Sequence, residues 1–444
     1  MRVLFSLVLI FLITSFEMGT FNVFFGSFVH NIVIMLCAGL VLFFWMFRVI
    51  KFGKIKNFGL LKAEEFHYFL FFSVISAFYF SVHAVIVGPL SGIKYSAYLF
   101  LFFILITQLK RRDFDSLCII YLYLMAFLAA MSVIQIGLVA ISGLSPDQFD
   151  SIKLIEDDFF RDVDYVMPYL LGYMAVEESI SFGPLNFVRA IGLSSEPKYF
   201  SVMLLVALSI CIGWNSLRSK KELLAIKILL LLGIFFSHAY SSLLVIVFAV
   251  GFHYILKLDI LGNKLKTIII VLTPIILTML LTAMMDFVLN FASGDGYAAA
   301  RAASFLYSTS GADISSIGEF GLMGQNLGEE GSNIVSVTVL QNWFRFGHIG
   351  VALYFLPIFF VVYKTINNYK SIKKNQKRSI VLLLATYIVF YQIFFAQPYT
   401  LLSIFILAVL YNRSMSAAVF ADETAIGIID KADKKYIFPP NIGV

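Results

Sequence analysis

Stretches of mostly apolar residues follow one another along almost the whole chain, separated by short polar connections. Their approximate limits are 3–16, 28–48, 66–87, 94–109, 116–141, 199–217, 223–237, 241–256, 267–289, 341–363, 379–395 and 400–415. Runs of roughly 15 to 25 such residues are what a helix needs to cross a bilayer. The pattern therefore predicts an all-α, polytopic membrane protein with about twelve transmembrane helices over residues 1–415. Uninterrupted runs such as Ile32 to Phe47 exclude an outer-membrane barrel, whose short strands alternate in polarity. The first run follows Arg2 as a leader would, but Thr14-Ser-Phe-Glu17-Met is a poor cleavage site, so it is read as a helix.

Composition agrees with the pattern. Of 444 residues, 60% are hydrophobic and 14% charged, with a mean hydropathy of +0.90. Soluble domains carry about 25% charged residues, so charge here is too sparse to coat a water-facing surface. The three cysteines, Cys37, Cys118 and Cys211, all fall inside apolar runs, which predicts buried thiols. No Cys-x-x-Cys spacing suggests a metal site, and none is expected.

The net charge of +6 matters less than its placement. Of the 33 lysines and arginines, 26 fall in alternate connections and at both ends of the chain. The other seven are Lys94, Lys153, Arg161, Arg189, Lys198, Arg301 and Arg345. Cation-rich connections stay in the cytoplasm, so both termini, and the polar tail 416–444, are expected there. Short basic cytoplasmic loops carry no Gly-x-x-x-x-Gly-Lys phosphate cradle, and no nucleic acid partner is expected.

Two connections on the opposite side are long, 142–198 and 290–340, and loops of such length are usually functional or disordered. Their net charges are −6 and −4, so neither attracts anions in bulk. Any anion bound there must be held by individual cations, which singles out Arg189 and Arg301. Arginine suits phosphate because its planar fork donates paired hydrogen bonds and stays charged. The competing reading is an interfacial arginine that snorkels or pairs with a loop carboxylate. Glu196-Pro197 marks a helix start, where Glu196 either offsets the helix dipole or serves as a general base. Eight glycines between Asn290 and Leu340 predict a shaped loop with close backbone approach. Arg345 and His348 stand at the outer end of one run, and ionisable groups there avoid lipid. Ser237-His238-Ala-Tyr240-Ser-Ser242 forms a polar outer turn. His30 and His83 are read as helix-packing residues, and Asp162-Val-Asp164 as a chance match to a metal-holding pair.

Taken together, Arg189-x-x-Gly192-x-x-x-Glu196-Pro197 before a span, the Ser-rich turn at 237–242, and then Arg301 resemble a known pattern. Gly321-x-x-Gly324, Ser332-Asn333 and Gly347-x-x-Gly350 continue it in order. The pattern resembles the bacterial O-antigen and exopolysaccharide polymerases and the related O-antigen ligases, over roughly residues 110–365. The resemblance implies a C-type glycosyltransferase of the bacterial inner membrane, with two large periplasmic loops. Its substrates would be undecaprenyl-pyrophosphate-linked oligosaccharides, and a chain-length regulator protein is a further possible partner. It assigns Arg189 and Arg301 to the pyrophosphate; on residue chemistry two such arginines can serve without a metal, and Glu196 is the candidate base. Lys198, His238, Tyr240, Arg345 and His348 would line the substrate path. Ligases show His-Asn where this chain has Ser332-Asn333, which favours polymerase over ligase. A flippase for lipid-linked sugars is the alternative from another class, but no paired halves of the transporter kind are evident.

Overall fold

The computed structural model describes residues 10, 13–14, 71–72, 74–76, 78–83, 85, 111–142, 151–152, 165–166, 173–182, 185–194, 197–213, 219–237, 239–283, 338–394 and 400–414. The runs expected at 28–48 and 94–109, nearly all of 290–340 and the tail lie outside these residues.

The described residues are mostly helical. Helix α1 spans Arg111–Ser142, α2 Pro197–Gly213, α3 Lys220–Ser237, α4 Tyr240–Lys257 and α5 Asn263–Ala283. Helix α6 spans Thr338–Asn368 and ends in a 3₁₀ turn, Tyr369–Ser371. Helix α7, Lys374–Tyr387, runs on into a π-helical turn, Ile388–Phe394, and α8 covers Leu401–Ser414. These eight coincide with eight of the apolar runs. Two of the segments, Phe114–Ile141 and Phe346–Ser371, are long and apolar enough to cross a membrane. The 17 residues of α2 reach only about 25 Å at 1.5 Å each.

Helices α2 and α8 form the centre, with nearly every residue buried. Such helices are apolar all round rather than on one stripe, because neighbours cover every face. Helix α7 is fastened to α2 where the Ser379 hydroxyl donates to the Ser209 carbonyl at 2.6 Å. The outer helices present large apolar side chains outward instead. Phe127, Ile134 and Ile141 of α1, Leu224, Ile228, Leu231 and Phe235 of α3, and Leu243, Ile246, Val247 and Val250 of α4 are exposed. Contiguous apolar surface on this scale marks an interface with lipid or protein.

The bundle has two chemically different ends. At one, the α4–α5 turn is tied to the end of α6 by an ion pair from Lys370 Nζ to Asp259 Oδ1 at 3.0 Å. A hydrogen bond from Asn263 Nδ2 to Asn367 Oδ1 at 2.9 Å adds to it. Gly213, at the end of α2, lies against Ser379 of α7 and Arg413 of α8. This end gathers Lys220, Lys221, Lys257, Lys264, Lys370, Lys373, Lys374 and Arg378. The opposite end carries Arg189 and Lys198 among the described residues whose side chains are placed.

A four-stranded antiparallel sheet precedes α2, which the all-α expectation lacks. Its order is β1 (Ser151–Ile152), β2 (Tyr165–Val166), β3 (Tyr173–Phe182) and β4 (Leu185–Gly192). Helices α1, α2 and α3 pack on β4, so the last strand is covered, and Arg189 through Gly192 are all buried. Pairing runs from Phe182↔Leu185 to Ser179↔Val188, then resumes at Met174↔Ala190. Residues 175–178 of β3 therefore stand against Arg189 alone. Bulges of this kind bend the strand and re-aim a side chain.

Helix α6 is broken at Gly347, whose φ of 67° and ψ of −170° are non-helical. A left-handed φ favours glycine. The Tyr79 hydroxyl enters the break, donating to the Phe346 carbonyl at 2.6 Å, and the Gly350 backbone N–H reaches the same hydroxyl. A side chain inserted at a helix kink satisfies backbone groups in this way. A side chain at Gly350 would strike Phe346 and Tyr79, so Gly347-x-x-Gly350 is explained by packing. His83 is wholly buried, with its ring against those of Tyr79 and Phe346, a packing role as expected. Cys118 and Cys211 are buried free thiols.

Candidate anion site at the Arg189 corner

Four elements meet at the end opposite the lysines. Strand β4 delivers Arg189 to the C-terminus of α3, where its Nε donates to the Ser237 carbonyl at 3.4 Å. Arginine at this position complements the negative end of the helix dipole. The side chain is 7% exposed, so the β3 bulge and the packing of β4 hold it inside rather than in solvent. Burial and the contact with the α3 carbonyl place it inside the fold rather than out along the interface.

After Arg189 the chain must turn from β4 into α2. Gly192 makes that turn with φ +63°, and its missing side chain leaves the space that the Phe200 ring fills. The Ser194 N–H then closes on the Ile191 carbonyl at 3.2 Å. The Ser194 hydroxyl is buried and makes no hydrogen bond with a described residue. Pro197 opens α2 at a position where its lack of an N–H costs nothing.

The N-terminus of α4 arrives at the same corner. Ala239 precedes the helix, and the Ser242 N–H donates to its carbonyl at 2.8 Å, with no side-chain cap. The Ser201 hydroxyl, one turn into α2, and the Ser242 hydroxyl, in the first turn of α4, are hydrogen-bonded. Two helix N-termini thus converge beside one buried guanidinium. Helix N-termini carry partial positive charge and unsatisfied N–H donors, so each is suited to an anion. Lys198 is half-buried with its ammonium 5.4 Å from the centre of the Tyr199 ring.

The structure therefore brings together Arg189, Lys198 and the turn around Ser237–Ser242, including the backbone of Tyr240. His348 is half-buried on α6, whose main packing partners are α5 and the π-helical turn. Arg345 lies in the same helix, and its side chain, like that of Tyr240, lies outside the described residues. Arg301, Glu196 and His238 lie wholly outside them, as do Asp162-Val-Asp164 and His30. The sequence reading passed over Ser194 and Ser201. Ser194 had a signal, a hydroxyl between the turn glycine and the helix-opening proline, whereas Ser201 was hidden inside an apolar run. No family model, curated protein or solved structure matches the chain.

Proposed function

We propose that this chain is a polysaccharide repeat-unit polymerase of the bacterial inner membrane. It transfers a growing glycan from undecaprenyl pyrophosphate to a lipid-linked oligosaccharide acceptor at the periplasmic face. The observation that carries the reading is the corner where Arg189 meets the N-termini of α2 and α4, an arrangement suited to a phosphate-bearing group. Its position supports the reading further: it lies at the end away from the lysine-rich turns, which by the cation rule is the outer end. Exposed apolar faces on α1, α3 and α4 and the two long apolar helices are consistent with a multi-pass arrangement.

In this mechanism the acceptor hydroxyl attacks the anomeric carbon and the bond from that carbon to the pyrophosphate oxygen breaks. The bonding electrons leave with the lipid pyrophosphate, and Glu196 takes the hydroxyl proton. Negative charge grows on the leaving pyrophosphate, so donors fixed beforehand around it lower the barrier. Arg189 and Arg301 supply them, without a metal. A guanidinium has five N–H donors in a planar fork, so anchoring through Nε to Ser237 is compatible with presenting the fork to phosphate. The anchor also fixes its orientation.

The test compares Arg189→Ala and Arg189→Lys in cells lacking their own copy of the protein, with membrane protein level measured alongside polymer length. Lysine keeps the charge and can still donate to Ser237, but loses the paired fork. Both variants are expected to give short polymer at normal protein level. Full-length polymer from Arg189→Lys and Arg189→Ala alike would remove Arg189 from the site.

A further inference from the structure

At the lysine-rich end, a cleft of about 340 Å³ opens between α2, α3 and α7. Its walls divide by chemistry. Lys227, Asn375 and Arg378 supply two cations and an amide, while Leu208, Ile212 and Leu231 supply an apolar side. No carboxylate is among the described residues that line it. The acid at the start of α3, Glu222, is engaged elsewhere, accepting from the Tyr123 hydroxyl at 2.7 Å. Neither Lys227 nor Arg378 forms an ion pair with a described residue. The two positive charges therefore face a cleft whose protein walls do not neutralise them.

Position along the helices narrows the ligand. Arg378 sits one turn into α7, and Lys227 lies seven residues into α3, so both are beyond the outermost lysines of this end. Lys227 and Leu231 are four residues apart and share a face of α3. Leu224, Ile228 and Leu231 continue outward as exposed apolar surface. A ligand filling this cleft meets cations and an amide at one level and exposed hydrocarbon at the next. A free nucleotide or sugar phosphate has no use for the second level. The geometry points to a binding site for the headgroup of an anionic phospholipid, its phosphate held by Lys227, Arg378 and Asn375 and an acyl chain laid along Leu231. Basic pockets between helices on the cytoplasmic side recognise headgroups in this way. The site is separate from the Arg189 corner and does not depend on the polymerase reading.

The test uses the full chain purified in detergent and stripped of lipid. It is titrated with phosphatidylglycerol and, separately, with phosphatidylcholine of matched chains, bound lipid being counted by native mass spectrometry. The site predicts retention of phosphatidylglycerol over phosphatidylcholine. The Lys227→Gln/Arg378→Gln pair should weaken phosphatidylglycerol about tenfold or more, since each juxtamembrane cation contributes to anionic-lipid affinity. Lys220→Gln, an exposed cation outside the cleft, should leave it unchanged. Equal retention of the two lipids by the unmodified protein overturns the proposal, and that comparison needs no variant to fold. An equal loss from Lys220→Gln means diffuse attraction and also overturns it. Displacement of phosphatidylglycerol by millimolar inorganic phosphate, with no effect of acyl chain length, would identify a free-phosphate site and refute the lipid assignment.

Discussion

Arg189 is held by geometry before it can do chemistry. The β3 bulge sets four residues, 175–178, opposite it in the strand register, and the end of α3 accepts its Nε–H. Gly192 fixes the next step, because only a residue without Cβ both adopts φ +63° and leaves room for the Phe200 ring. Gly192→Ala is therefore expected to cost about 1–3 kcal/mol, combining left-handed strain with overpacking. Thermal unfolding in detergent reads this, and an unchanged midpoint would mean that the turn relaxes freely. The spacing of Arg189, Gly192 and Pro197 was visible in the sequence, but its physical cause was not. The cause is a ring eight residues onward and a carbonyl 48 residues onward. Long-range contacts leave no periodic trace.

Among the elements, the helices were the most legible, because buried and lipid-facing apolar helices both write long apolar runs. Helix α6 was legible in place but not in shape. At its break by Gly347 the Phe346 carbonyl accepts from the Tyr79 hydroxyl, 267 residues earlier in the chain. Tyr79→Phe is expected to leave the Phe346 carbonyl and Gly350 N–H without their bridge and to destabilise by about 1–3 kcal/mol. The sheet was missed because Leu185–Gly192 lacks a period-2 alternation: its polar residues, Asn186 and Arg189, are three apart, since the strand is covered by helices rather than half-exposed. Counting 142–198 only as an acidic connection hid it.

A third element-level expectation concerns the tie between the α4–α5 turn and α6. Lys370, by hydrogen bond and charge, holds the Asp259 carboxyl below its ordinary range. A folded pKa below the unfolded one means stabilisation that is present above the unfolded carboxylate pKa and lost as pH falls through the folded one. Asp259→Asn should accordingly lower the neutral plateau of a melting-temperature profile slightly and converge with the unmodified protein in acid, so that the acid limb is shallower. Both groups are largely in water, which keeps the effect small. An unaltered acid limb would show that the pair contributes nothing.

On the scale of the whole molecule, contacts collect the lysine-rich turns at one end of the bundle and the Arg189 corner at the other. For the described residues this separation is the spatial counterpart of the alternation of cations along the chain. Convergence of the α2 and α4 N-termini was not legible, since it needs α2, α3 and β4 packed together. The proposed topology predicts that Lys220→Cys and Lys373→Cys, in a background without native cysteines, react with impermeant maleimide only from the cytoplasmic side. Labelling of either in intact cells with a permeable outer membrane would invert the assignment of ends.

The central claim is that this corner serves glycan transfer from a lipid pyrophosphate. Purified protein in detergent, given lipid-linked repeat units and no membrane barrier, measures it most directly. The account predicts a ladder of lengthening glycans, with Arg189→Lys slowed about a hundredfold or more, as expected when one positioned donor to the leaving group is lost. Repeat units recovered unextended from unmodified, folded protein, or an undiminished ladder from Arg189→Lys, would contradict it.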